Sequence, residues 1–61
     1  MFAIAFDGFV QRERRMTFDE VKIEWSKAIM NPMLYQYSCS VYELDENGKT
    51  VRVVSRGELT D

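Results

Sequence analysis

The sequence predicts a small α+β domain, in which a three-stranded, mainly antiparallel sheet carries one helix packed on one face. Three patterns lead to this prediction. Large and small apolar residues alternate near the amino terminus, a capping-box motif precedes an amphipathic stretch, and a loop containing Asn-Gly separates two β-branched segments. Their order gives a β-α-β-β plan, which we expect to form a single domain over residues 1–61.

The first strand is predicted by the strict alternation over residues 2–6. Phe2, Ile4 and Phe6 fall on one side of this strand, and two alanines fall on the other. Gly8 is then expected to allow a bulge or a bend. Residues 9–11 either continue as a strand or turn away. The sequence leaves open whether the first strand pairs with the second or with the third.

The helix is predicted to run from residue 18 to residue 30. Thr17 and Glu20 have the spacing of a capping box, and Pro32 disfavours helical geometry at the residue before it. One apolar stripe is expected to pack on the sheet, formed by Phe18, Val21, Trp25, Ala28 and Ile29. Ile23 and Met30 lie seven residues apart, on a side nearly opposite Trp25, and are therefore expected to be exposed.

A hairpin is predicted after the helix, with strands over residues 33–44 and 50–55 and a three-residue loop, 46–48. In this register Val41 faces Val53. The helix-covered residues would then be Tyr35, Tyr37, Cys39, Val41, Val51 and Val53. A rival two-residue Asn47-Gly48 turn would shift the pairing by one and bury Tyr42 and Leu44 instead. Residues 56–61 are expected to form a frayed tail.

The composition argues against catalysis. The chain has no histidine and a single cysteine, Cys39, so the usual nucleophile–base pairs, a zinc site and an internal disulfide are not expected. Cys39 is expected to behave as a small buried hydrophobe. The segment from Glu43 to Gly48 resembles the start of a calcium-binding loop, but Val54 stands where the bidentate Glu should fall. A chain of this length is also not expected to enclose a ligand-sized pocket. We therefore expect no enzymatic activity, cofactor or metal.

Two surfaces are candidates for binding. The first is apolar and would contact a protein; it comprises Ile23, Met30, Leu34, Tyr42, Leu44 and Val54. The second would contact nucleic acid through a basic cluster beside an aromatic residue; it comprises Phe9, Arg12, Arg14 and Arg15. The net charge of −2 disfavours the second surface, because nucleic-acid binders usually carry a basic excess.

The function that the sequence predicts is therefore a non-enzymatic protein-binding module, such as an inhibitor or adaptor acting on a larger protein. In size and architecture, although not in any motif, such a domain is similar to small bacteriophage proteins that neutralise host enzymes. The alternatives are a nucleic-acid-binding domain and a structural homodimer. With a single free cysteine and no apolar segment long enough for a signal peptide or a membrane span, we expect the protein to work in the cytoplasm.

Overall fold

The computed structural model describes residues 1–33 and 38–60, which form a four-stranded antiparallel sheet and two helices. The elements are β1 (Phe2–Phe6), β2 (Phe9–Val10), α1 (Phe18–Met30), β3 (Cys39–Leu44), β4 (Thr50–Val54) and α2 (Arg56–Thr60). The strand order is β2-β1-β3-β4. A small α+β fold with an antiparallel sheet is therefore confirmed. The predicted count of three strands and one helix is wrong.

The extra strand arises from a tight turn at Asp7 and Gly8. Both residues have positive φ, 53° and 88°, and Phe6 pairs directly with Phe9. A two-residue hairpin turn of type I′ requires positive φ at both central positions, and Asp-Gly is a preferred pair for it. Gly8 thus reverses the chain instead of bending it. The edge of β1 away from β3 also bonds to Met16, whose backbone exchanges two hydrogen bonds of 2.8 Å with Phe2.

The predicted helix is confirmed at both ends. The Thr17 hydroxyl accepts from the backbone N–H of Glu20, and the Glu20 carboxylate accepts from the backbone N–H of Thr17, at 3.0 Å. Three residues of the predicted stripe are buried, namely Val21, Trp25 and Ala28. The Phe18 ring packs against Phe2, with 5.1 Å between the ring centroids. The helix therefore packs across β1 and β3 through the face that the sequence predicts.

The hairpin begins as predicted and then changes register. Gly48 has a φ of 83°, and the Asp45 N–H donates to the Lys49 carbonyl, as the three-residue loop requires. A bulge between the Glu43 and Leu44 pairs then inserts Val51, so that Val41 pairs with Val54 instead of Val53. The preferred register is thus wrong for most of β4, where the pairing is that of the rival turn.

The bulge decides which residues of β4 enter the core. Directly paired residues share a sheet face, so Val54 lies with Val41 and Ile4 on the face that the helices cover, the helix face. Val53 lies with Tyr42 and Ala3 on the opposite side, the open face. Val51 and Val53, predicted to be covered, are therefore 59% and 57% exposed. No helix within residues 1–33 and 38–60 packs on the open face.

The carboxyl-terminal segment is a helix, and the prediction of a frayed tail is wrong for residues 56–60. Ser55 and Glu58 form a second capping box: the Ser55 N–H donates to Glu58 Oε2 at 2.9 Å, and the Glu58 N–H donates to Ser55 Oγ at 3.3 Å. Leu59 is buried against the sheet. It joins the central core cluster, which consists of Ile4, Val21, Trp25, Val41, Val54 and Leu59.

The predicted second strand starts later than expected. Met33 lies in a turn and is exposed, and β3 begins only at Cys39. Leu34, Tyr35 and Tyr37, to which the sequence assigned strand positions, lie outside the described residues. The pairing left open by the sequence is also resolved, because β1 pairs with β3 over its whole length.

Candidate functional site: a groove between α1 and β1

A groove of about 310 Å³ runs between α1 and the side of β1 that faces β2. Its lining combines an apolar floor with polar and charged side chains; it is formed by Ile4, Phe6, Gln11, Arg14, Met16, Glu24, Lys27, Ala28 and Asn31. The volume lies at the lower end of the range for small-molecule sites, roughly 300–1,000 Å³. The groove is partly open to solvent, so it is a surface groove and not an enclosed pocket.

The groove walls are held in place by backbone hydrogen bonds. The segment between β2 and α1 is fastened to β1 at both ends, because the Gln11 N–H donates to Ile4 O at 2.9 Å and the Met16 N–H donates to Phe2 O at 2.8 Å. Across the groove, Ala28 presents only a methyl group, so the helix leaves space above Ile4 and Phe6. A rigid scaffold therefore positions the lining residues.

The groove has a surplus of positive charge. Lys27 Nζ lies 3.9 Å from Glu24 Oε1 in a loose, exposed ion pair of adjacent helical turns. Arg14 has no hydrogen bond or ion pair from its guanidinium to any residue in the described part of the chain. An anionic group entering the groove would therefore find a guanidinium with its donors free, and this group can bind a carboxylate through two parallel hydrogen bonds.

Exposed apolar side chains continue both banks of the groove. Phe9 pairs with Phe6, so their side chains share the helix face, and Phe9 is 75% exposed. On the helix bank, Ile23 and Met30 each lie one turn from Lys27. Both are exposed, as the sequence predicts, Met30 to 80%. A ligand larger than the groove itself could contact these residues as well.

The arginines of the predicted basic cluster are all exposed, but they have different contacts. Arg12 Nε donates to the Gly48 carbonyl at 3.1 Å, and Arg15 Nε donates to the Arg12 carbonyl at 3.3 Å. The Arg15 guanidinium also packs against Gly48. Arg12 and Arg15 thus fasten their segment to the β3–β4 loop, whereas Arg14 lines the groove. Only Arg14 and the exposed Phe9 of this predicted surface lie at or beside the groove.

Two of the six residues of the predicted protein-binding surface are buried in the observed fold. Leu44 and Val54 were expected on the uncovered sheet face, but they are only 3% and 4% exposed. Val54 is buried because the bulge turns it into the core. Leu44 is paired with the amino-terminal segment: its backbone N–H donates to Met1 O at 2.7 Å. Tyr42 is half-buried on the open face, and Leu34 lies outside the described residues.

The remaining groups of chemical interest are the Cys39 thiol and the side chains that could bind a metal ion. Burial raises the pKa of the Cys39 thiol, which favours the protonated and weakly nucleophilic form at neutral pH. Cys39 lines a second, smaller cavity of about 180 Å³ beside Trp25 and Arg56. Within the described ranges, no group of three or more His, Cys, Asp or Glu side chains is placed to hold a metal ion. Neither described helix is long and apolar enough to cross a membrane.

Sequence reasoning missed most of the groove. Lys27, Ala28 and Asn31 come from the helix, and Gln11 and Met16 come from the preceding segment. No local pattern brings these positions together, because they meet only through the docking angle of α1 on the sheet. The Asp7-Gly8 turn would have been the one usable signal, since it predicts the hairpin that places residues 9–16 beside β1.

Comparison of the chain with protein-family models, with curated proteins and with solved structures gives no match.

Proposed function

We propose that this chain is a non-enzymatic protein-binding module, and that its α1–β1 groove holds a partner segment in which an apolar side chain stands next to a carboxylate. The observation that carries the proposal is the free guanidinium of Arg14 above an apolar floor that includes Ile4 and Phe6. Such a module can act as an inhibitor or adaptor by occupying a segment that a larger protein needs for another contact.

The two halves of the groove favour the two parts of this ligand. Burying a Leu or Phe side chain stabilises a complex by roughly 1.5–3 kcal/mol, and the floor residues offer the apolar surface for it. A carboxylate beside that side chain would reach Arg14, with Lys27 as a second cation nearby. A hydrogen bond between the carboxylate and the Arg14 guanidinium would fix the orientation of the segment.

A protein segment fits the surroundings better than a small molecule does. The groove is small and partly open, so a compact ligand confined to it would remain partly in water. The exposed side chains of Phe9 and Met30 extend the contact area beyond the groove, in reach of a longer ligand. Large apolar anchors surrounded by a polar rim are typical of protein interfaces.

Nucleic acid fits the same surface less well. A phosphate backbone needs several cations along one track, but Arg12 and Arg15 bond to the backbone of this chain and only Arg14 lines the groove. The net charge of −2 would also repel a polyanion at long range.

The test is a selection from a random linear peptide library displayed on a carrier. We expect the wild-type protein to enrich peptides with Leu, Met or an aromatic residue adjacent to Asp or Glu. Arg14→Glu should lose these peptides by tenfold or more in affinity, whereas Lys49→Glu, the same charge change on the β3–β4 loop at a residue that does not line the groove, should retain them. Enriched peptides without an acidic residue, or equal binding by both variants, would refute the proposal.

A further inference from the structure

The two edges of the sheet differ in how they are protected. β2 has only two residues, and the chain beyond it returns to bond with β1 at Met16, so this edge is short and interrupted. β4 is five residues long and lies at the other edge with no described strand beyond it. A long edge strand exposes backbone donors and acceptors to which another strand can bond.

The hydrogen-bond pattern identifies the outward-facing backbone groups. Leu44 and Ser38 bond to β1 through Met1 and Asp7, so the even-numbered residues of β3 face β1. The odd-numbered residues Val41 and Glu43 then bond to β4 through their partners Val54 and Arg52. By the same alternation, the N–H and C=O groups of Val53 point away from the sheet. Val51 lies at the bulge and has no partner residue in β3, so its backbone groups are not used by that pairing.

Apart from the bulge at Val51, this edge has little of the usual protection, and its side chains do not supply it. Val51 and Val53 are both more than half exposed, so the open face at this edge carries apolar side chains where a charged residue would oppose pairing. The one charged residue between them, Arg52, lies on the helix face. It is bound there by Glu43 Oε1 at 2.8 Å and Glu58 Oε2 at 3.2 Å. Its charge is therefore offset and does not act as the free lysine or arginine that commonly blocks edge pairing.

We propose that two copies of this chain pair along β4 in antiparallel fashion, about a two-fold axis at Arg52, which joins their sheets into one. In this register Val51 of each copy exchanges backbone hydrogen bonds with Val53 of the other, and their side chains pack together on the open face. Neighbouring registers would pair Val51 with Ser55 or Val53 with Lys49. The N–H groups of those residues are already bonded, to Glu58 and to Asp45, each at 2.9 Å.

This inference is independent of the groove, which lies on the helix face near the opposite edge of the sheet, beside β1. The test is sedimentation equilibrium from micromolar to millimolar concentration. We expect the wild-type chain to form a dimer, Val53→Lys to sediment as a monomer, and Val53→Thr, which keeps the β-branched shape, to remain a dimer. Circular dichroism checks that each variant is folded, and Val51→Lys serves as a second variant with the same expected loss of the dimer.

Isotope-filtered NMR on a mixture of labelled and unlabelled chains tests the register. Intermolecular contacts between the methyl groups of Val51 and Val53 are expected in the wild-type dimer. A wild-type monomer at every concentration, a dimer that persists in both folded lysine variants, or a dimer without these methyl contacts would overturn the inference. Arg14→Glu should leave the dimer unchanged, so that failure of the groove and failure of the edge are distinguishable.

Discussion

At the scale of single residues, Gly48 connects two parts of the chain that are distant in sequence. Its positive φ closes the β3–β4 loop, its carbonyl accepts from Arg12, and the Arg15 guanidinium packs against its Cα side. Gly8 has almost the same φ, but no atom of a neighbouring residue lies close to where a Cβ would be placed. A comparison of the two glycines therefore distinguishes the cost of a Cβ at positive φ from the cost of displacing a packed side chain.

We predict that Gly48→Ala destabilises the protein more than Gly8→Ala does. Each substitution should cost about 1–2 kcal/mol for placing a Cβ at positive φ. Gly48→Ala has the added cost of displacing Arg15. Urea denaturation of both variants measures the difference, and repeating it in an Arg15→Ala background should reduce that difference. Equal losses for the two alanines in the wild-type background would contradict the packing that we describe.

Glu58 is predicted to make stability depend on acid pH. Hydrogen bonds from the Ser55 backbone, from Arg52 and from the Ser55 hydroxyl hold the pKa of Glu58 below its ordinary value. A carboxylate with a lowered folded-state pKa stabilises the fold above its unfolded pKa, about 4.3 for glutamate, and this contribution is lost as the pH falls through the folded pKa. Urea midpoints should therefore decline less steeply with acid in Glu58→Gln than in the wild type.

The control for Glu58→Gln is Glu46→Gln in the β3–β4 loop. The carboxylate of Glu46 makes no hydrogen bond or ion pair to a residue that the structure describes. We expect this variant to retain the acid slope of the wild type. If both variants showed the same slope, the hydrogen bonds around Glu58 would not contribute to acid stability.

At the scale of elements, a capping box begins both helices, but only α1 could be predicted from the sequence. In α1, the N-cap Thr17 is followed by thirteen helical residues with a clear apolar stripe, so both ends of the helix could be predicted. In α2, Ser55 is followed by only five helical residues, Glu58 among them, too few for a periodic pattern. Leu59 makes this helix stable by entering the core, a contact that a local pattern does not reveal.

The hairpin shows a similar division between local and non-local information. Its turn was predictable because Gly48 and Asp45 meet the local demands of a three-residue loop. Its register beyond the turn was not, since the local sequence does not show that the bulge brings Val54, and not Val53, into the core cluster with Trp25 and Leu59. One inserted residue then exchanged the positions of Val53 and Val54, which removed Val54 from the predicted protein-binding surface.

We predict that α2 is an integral part of the fold. Ser55→Ala should lower the free energy of unfolding by about 1 kcal/mol, because it removes the N-cap of α2. Leu59→Ala should lower it by about 2–5 kcal/mol, because it opens a cavity in the core. The matched control is Ser26→Ala in the middle of α1, which should cost little, since alanine is the better helix former there. Unchanged denaturation midpoints for Ser55→Ala and Leu59→Ala would mean that α2 is dispensable.

At the scale of the whole molecule, both helices lie on one face of the sheet and divide its surface into distinct regions. α1 leaves β1 partly uncovered on the side of β2, which creates the groove with Arg14 at its rim. α2 closes the helix face beside β4 and leaves the outer edge of that strand accessible. The groove and the β4 edge thus lie on opposite sides of the molecule, so one copy can use both at the same time.

The most direct test of the groove is a chemical-shift map of the ¹⁵N-labelled protein, titrated with the most enriched peptide of the library selection. The proposal predicts saturable shifts at Phe6, Arg14 and Ala28, and their loss when the acidic residue of the peptide is replaced by its amide. Shifts confined to Val51, Val53 and the open face, or shifts that are the same for the acid and the amide, would contradict a groove that recognises an apolar side chain beside a carboxylate.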